Sequence, residues 1–150
     1  ITITREGLFD NTVGFYSVSD KQGTVVDEVT GEILTPEDGE GYAKVAIANS
    51  VVDFRVQNNF SSESFDVNLP ARSLLAPYLI QDGNITDFEN NGAEAFFSFG
   101  AANSDGINHL LELGTQDLNI FKFAFEDLSG SSMMGSDRDY DDMVMTVNLG

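Results

Sequence analysis

The sequence predicts an all-β fold: a single antiparallel β-sandwich, jelly-roll-like, with long ordered loops. Short apolar runs rich in Val, Ile, Phe and Tyr recur along the chain. Gly, Asn, Asp, Ser and Pro separate them, which is the spacing of a sandwich or barrel. One segment also alternates cleanly: Phe121, Phe123 and Phe125 have Lys122, Ala124 and Glu126 as their neighbours. Period two sends the rings to one face of a strand and the other side chains to the opposite face.

The strand-like segments in order are residues 13–18 (VGFYSV), 42–47 (YAKVAI), 51–56 (VVDFRV), 74–80, 95–99 (AFFSF), 110–113, 118–125 and 143–149. Met143, Met145 and Val147 are expected as the row beside the three Phe rings on a partner strand. Residues 43–50 (AKVAIANS) are ambiguous. Alanine favours a short helix there, while the alternation of Val45 and Ile47 suits a strand equally well. Turns are marked by Asp20-Lys21-Gln22-Gly23, Thr30-Gly31, Pro36-Glu37-Asp38-Gly39, Asp82-Gly83-Asn84 and Asn90-Asn91-Gly92. No repeat or linker interrupts the pattern. Residues 1–150 therefore read as one module, and the opening at Ile1 rather than Met suggests that it was excised from a larger protein.

Composition narrows the function. The chain carries 25 Asp+Glu against 7 Lys+Arg, a formal net charge of -18. Nucleic acid is disfavoured, because phosphate binding needs clustered Lys and Arg. Anionic membrane surfaces are disfavoured for the same reason. No apolar run approaches the ~20 residues of a membrane span, so no membrane insertion is expected. Zero cysteines exclude disulfides, thiolate zinc sites and Cys nucleophiles. Three uses of the acidity remain: a solvated or salt-adapted surface, carboxylates gathered around divalent cations, or recognition of a basic partner. Six of the 25 acids fall between Glu126 and Asp142, about twice an even share, and that clustering favours the cation.

Residues 126–142 lie between two expected strands. Hairpin loops usually have ~2–5 residues, and long structureless loops are uncommon in compact domains. This one is rich in Gly, Ser and Asp and has little apolar material to hold it, so another fastener is expected. Asp137, Asp139 and Asp141 stand at i, i+2 and i+4, and Asp142 follows directly. Glu126 and Asp127 stand at the other mouth, where strand pairing would bring them toward Asp141 and Asp142. Arg138 alone cannot neutralise six carboxylates. Ca²⁺ can, because it takes ~6–8 oxygen ligands in flexible geometry. Zinc is disfavoured with one His and no Cys. The loop is not an EF-hand: Asp142 occupies the place of the sharp-turn Gly, and no Glu closes the loop.

The segments FKFAFEDLSG and SDRDYDDMVMTV resemble the terminal signature of a domain-of-unknown-function family, DUF4114, found in cyanobacterial secreted proteins and in bacterial surface proteins of the RTX-adhesin type. Asp141 stands where that family most often has Asn. Ala101-Ala102-Asn103-Ser104-Asp105-Gly106-Ile107-Asn108-His109 resembles an upstream family segment, and the stretch from Asn11 to Tyr16 resembles its N-terminal part. The resemblance implies an extracellular, calcium-associated all-β module without known catalysis. Carried over residue by residue, it implies Glu126, Asp127, Asp137, Asp139, Asp141 and Asp142 as calcium ligands, with Asn103 and Asp105 as a second tier. An Asx-turn would explain Asn103 and Asp105 without metal. His109, the only histidine, is expected to be a structural residue orienting the Asp105 turn or the acidic loop.

Catalysis is not expected. No G-x-S-x-G elbow, phosphate loop or dinucleotide fingerprint occurs, and Trp, common in sugar-binding clefts, is missing. The function expected is that of a secreted, calcium-binding, monomeric module of an adhesin-like surface protein, flanked by neighbouring domains. One alternative is a calcium-dependent tip that recognises a glycan or a peptide carboxylate. Another is a salt-adapted acidic domain without a specific metal.

Overall fold

The computed structural model describes residues 1–6, 9–57, 60–128 and 139–150. Strands β1 (Thr2–Arg5), β2 (Thr12–Val18), β3 (Val25–Val26) and β4 (Ile33–Leu34) precede helix α1 (Glu40–Ala48). Strands β5 (Ser50–Arg55), β6 (Ser61–Ser64) and β7 (Leu74–Ile80) follow, then the short helix α2 (Ile85–Glu89). The chain ends with β8 (Ala95–Phe97), β9 (Leu110–Leu113), β10 (Ile120–Phe125) and β11 (Met143–Asn148). A five-stranded sheet has the order β6-β1-β11-β10-β9 and a four-stranded sheet the order β5-β2-β7-β8, with β3 and β4 as a separate ribbon. All pairings among the described strands are antiparallel. Among the described residues no helix is long and apolar enough to cross a membrane.

The two sheets face each other across one core. Ile3, Phe125, Met143, Met145 and Val147 of the larger sheet pack with Val13, Phe15, Phe54, Leu79 and Phe96 of the smaller. This is the all-β sandwich that the alternating pattern predicts. The rows also meet as expected, with Phe121 opposite Val147, Phe123 opposite Met145 and Phe125 opposite Met143. Burial falls along that row. Phe125 is buried and Phe123 is half-buried with its edge on Phe15, while Phe121 lies toward the exposed end of the strand.

The smaller sheet is buried on both faces. Its outer side carries Tyr16, Tyr78, Ile80 and Phe97 against Tyr42, Ala46 and Ile47 of α1. Buried on two sides, β2 reads as a nearly continuous apolar run rather than an alternation. Gly14 sits in its middle because a Cβ there would lie 2.4 Å from the Val52 carbonyl and 2.7 Å from the Tyr78 ring.

Residues 42–47 are helical, which corrects the strand expected there and resolves the ambiguity of 43–50 toward the helix. The reason is a matter of spacing. Tyr42, Ala46 and Ile47 are the buried positions, a helical face rather than alternate residues. Tyr42 also fixes the helix by tertiary contact. Its hydroxyl donates to the Gly23 carbonyl at 2.8 Å and lies 2.8 Å from the Tyr16 hydroxyl.

Candidate metal centre

The pairing of β10 with β11 builds the centre. The last paired residues are Phe125 and Met143, so Glu126, Asp127 and Asp142 stand at the mouth of the hairpin. Hydrogen bonds from backbone amides frame that mouth. The Glu126 amide donates to the His109 carbonyl at 3.0 Å, and the Glu6 amide donates to the Asp142 carbonyl at 3.0 Å. The Asp127 amide donates to Asp142 Oδ2 at 3.0 Å. One carboxylate oxygen from each of Glu126, Asp127 and Asp142 lies within 4.8 Å of the others. Glu126 and Asp127 are each only 2% exposed, and Asp142 is half-buried.

The opposite sheet contributes as well. Asn11, fully buried just before β2, donates from Nδ2 to Asp127 Oδ2 at 2.6 Å and accepts the Asp82 amide at 2.9 Å. Gln81, just after β7, donates from Nε2 to the Asp127 carbonyl. These residues tie the four-stranded sheet to the hairpin of the five-stranded one. Sequence reasoning missed Asn11 and Gln81 as parts of the site. The family-like stretch beginning at Asn11 was the signal that pointed nearest to them.

Burial is the largest cause pushing the Asp127 carboxyl up to about 7; the Asn11 hydrogen bond opposes it, and the charges of Asp142 and Glu126 reinforce it. Two unit charges 4.8 Å apart repel by about 3 kcal/mol at an effective dielectric constant of ~20. Three such charges together therefore call for a proton or a cation. The donors are carboxylate oxygens throughout, which suits a hard divalent cation such as Ca²⁺ better than zinc.

His109 is buried and fully engaged. Its ring stacks on Phe96 with centroids 3.9 Å apart. Nδ1 lies 3.0 Å from the Glu126 carbonyl, which can only accept, so Nδ1 carries the donated proton. Nε2 lies 3.0 Å from Asp105 Oδ2. His109 thus joins the Asp105 turn to the acidic cluster, as expected of a structural histidine.

Of the remaining sequence-predicted ligands, Asn103, Asp105, Asp139 and Asp141 lie outside the cluster of three. Asp105 Oδ1 accepts the Ile107 amide at 3.0 Å, closing an Asx-turn. Asn103 accepts the Phe97 amide at 2.7 Å and donates to the carbonyls of Phe97 and Ile107. Both side chains shape the loop that leads to β9. Asp139 and Asp141 are exposed, and Asp139 Oδ1 accepts the Asp141 amide at 3.3 Å. The hydrogen bond with Asp139 is the main cause raising the Asp141 carboxyl. Tyr140, between them with φ 56°, donates its hydroxyl to the Asn108 carbonyl at 2.8 Å and pins the segment to the loop before β9. Asp137 lies outside the described residues.

Fold and site together define a β-sandwich with an oxygen-donor cluster at the end of one hairpin, tied to both sheets. A family model described as a domain of unknown function, DUF4114, matches residues 69–150, and the chain belongs to that family. The match starts ahead of β7 and takes in Glu126, Asp127 and Asp142, whereas Asn11 precedes it. No curated protein and no solved structure matches the chain.

Proposed function

We propose that this chain is a calcium-binding, non-catalytic module of a secreted or cell-surface adhesin-like protein. A bound Ca²⁺ would order residues 126–142 and fasten the hairpin mouth to the opposite sheet. The observation that carries this is the convergence of Glu126, Asp127 and Asp142 within 4.8 Å in a largely buried setting. Carboxylates so placed are costly unless something positive joins them. The cation supplies charge neutralisation and a fixed coordination shell. Asn11, Gln81 and His109 orient the ligand-bearing backbone and side chains around it. The adhesin-like, extracellular setting rests on the family resemblance.

A calcium-dependent receptor is the second reading, favoured by the exposed Asp139–Asp141 pair next to the half-buried Asp142. In that case sugar hydroxyls or a peptide carboxylate would complete the coordination shell. Isothermal titration with Ca²⁺ and Mg²⁺ at fixed ionic strength tests the metal step, with Asp142→Asn beside the wild type. Calcium-selective binding with a rise in melting temperature, both lost in the variant, supports the reading. Equal melts in chelator, magnesium and calcium would refute it and leave a salt-adapted acidic domain.

A further inference from the structure

A second site lies away from the acidic cluster. A groove of about 770 Å³ opens between α1, the end of α2, the turn leading into β8, and the short 3₁₀ turn Gly100–Ala102. Its apolar side chains are Ala43, Phe88, Ala93, Ala95 and Ala102. Four of these five are alanines, so the hollow exists because no larger side chain fills it. Its volume lies in the range of ligand-binding clefts, ~300–1,000 Å³.

The polar lining has one sign to spare. Glu40, Glu89 and Glu94 face a single cation, Lys44. Lys44 is already paired with Glu40 at 2.6 Å, leaving Glu89 and Glu94 without a cationic partner among the described residues. Glu94 is half-buried and positioned, since Ser104 Oγ donates to its Oε1. Its Oε2 accepts no hydrogen bond from the described residues. A half-buried carboxylate held in place above an apolar floor suits a cation carried on a hydrocarbon stem. Phe88 adds a ring face on which a guanidinium can lie.

We propose that this groove receives a basic side chain, arginine above all, from an extended segment of a partner polypeptide. The stem would rest on Ala43, Phe88 and Ala93, and the guanidinium would meet Glu94 and Glu89. The occupant is a polypeptide rather than a free cation because the groove holds far more than one side chain. The groove also borders β8, an edge strand, and edge strands offer backbone groups to an extended segment. Asn103 covers the backbone of Phe97 on that strand, which confines docking to the end near Ala95.

The test is an NMR titration of the ¹⁵N-labelled chain, saturated with calcium, against acetyl-Gly-Ser-Arg-Ser-Gly-amide. The same peptide with citrulline for arginine, and free agmatine, are run beside it. The arginine peptide is expected to shift the amides of Ala43, Ala93, Glu94 and Ser104, and the citrulline peptide to leave them in place. Glu94→Gln, which keeps an acceptor for Ser104, should weaken binding about tenfold. Glu28→Gln, outside the groove, should not change it. Several results would overturn the proposal: no shifts at millimolar peptide, equal shifts with citrulline, shifts spread over all the acidic surface, indifference to Glu94→Gln, or agmatine binding as tightly as the peptide. None of the groove residues belongs to the acidic cluster, so this outcome is independent of calcium binding there.

Discussion

Asp127 should invert the usual pH dependence of an acidic protein's stability. An ordinary aspartate carboxyl titrates near 3.8, whereas burial and its acidic neighbours push that of Asp127 to about 7 in the folded chain. Between those values the folded chain holds a proton that the unfolded chain has released. The stability contributed by that proton is full below the unfolded value and is lost as pH rises through the folded one. Each tenfold difference in acidity is worth ~1.4 kcal/mol, so the whole interval amounts to something on the order of 4 kcal/mol. Urea denaturation in chelator, from about pH 5 to about pH 8, should therefore show the protein weakening by roughly 3 kcal/mol through this one group. Asp127→Asn keeps an acceptor for the Asn11 amide and should flatten that component, so the difference between the two curves isolates it from other titrating groups. Calcium favours the ionised carboxylate, so saturating calcium should remove the loss, and calcium affinity should fall as pH drops below about 7. Parallel curves for wild type and Asp127→Asn in chelator would refute the placement of Asp127 in a buried, crowded carboxylate site.

Three further substitutions probe the parts around it. Asn11→Ala strips Asp127 Oδ2 of its buried donor and the Asp82 amide of its acceptor, and should cost about 1–3 kcal/mol in urea denaturation; the share owed to Asp127 should be recovered at acidic pH, where its protonated carboxyl no longer needs that donor. His109→Ala removes the ring stacked on Phe96 and both of its hydrogen bonds, and should cost on the order of 3 kcal/mol; calcium titration should show weaker binding as Glu126 loses its anchor. Gly14→Ala drives a Cβ into the Val52 carbonyl and the Tyr78 ring, and should lower stability by about 3 kcal/mol or more without changing calcium affinity per folded molecule, as read by melting and by titration of the folded fraction.

The hairpin β10–β11 was legible because burial alternates along β11 and the apolar rows of the two strands stand opposite each other, Phe121, Phe123 and Phe125 against Val147, Met145 and Met143. Pairing those rows is enough to bring Glu126 and Asp127 to Asp142, the part of the site that local pattern predicts. The spacing of Asp139 and Asp141 was less informative than it looked. Tyr140 between them has a φ of 56°, which breaks any extended run, and both aspartates face solvent while Asp142 is half-buried. Asn11 and Gln81 come from the other sheet, through contacts 116 and 46 residues apart in the chain, and no spacing rule reaches that far. Residues 42–47 misled for a related reason. Val45 and Ile47 alternate by accident, and the helix is selected by the seat that Tyr16 and Gly23 provide for Tyr42.

Strands β1 and β11 lie side by side and antiparallel, with Thr2 opposite Thr146 and Arg5 opposite Met143. Ile1 and Gly150 therefore leave the sheet from the same end. Tension applied across them opens the ladder like a zipper, one pair at a time from Thr2 toward Arg5, rather than shearing all pairs at once. The bond from the Glu6 amide to the Asp142 carbonyl stands beyond Arg5 at the far end. Peeling would reach the acidic cluster last, so an ion seated there would act as the rivet at the closed end of the seam.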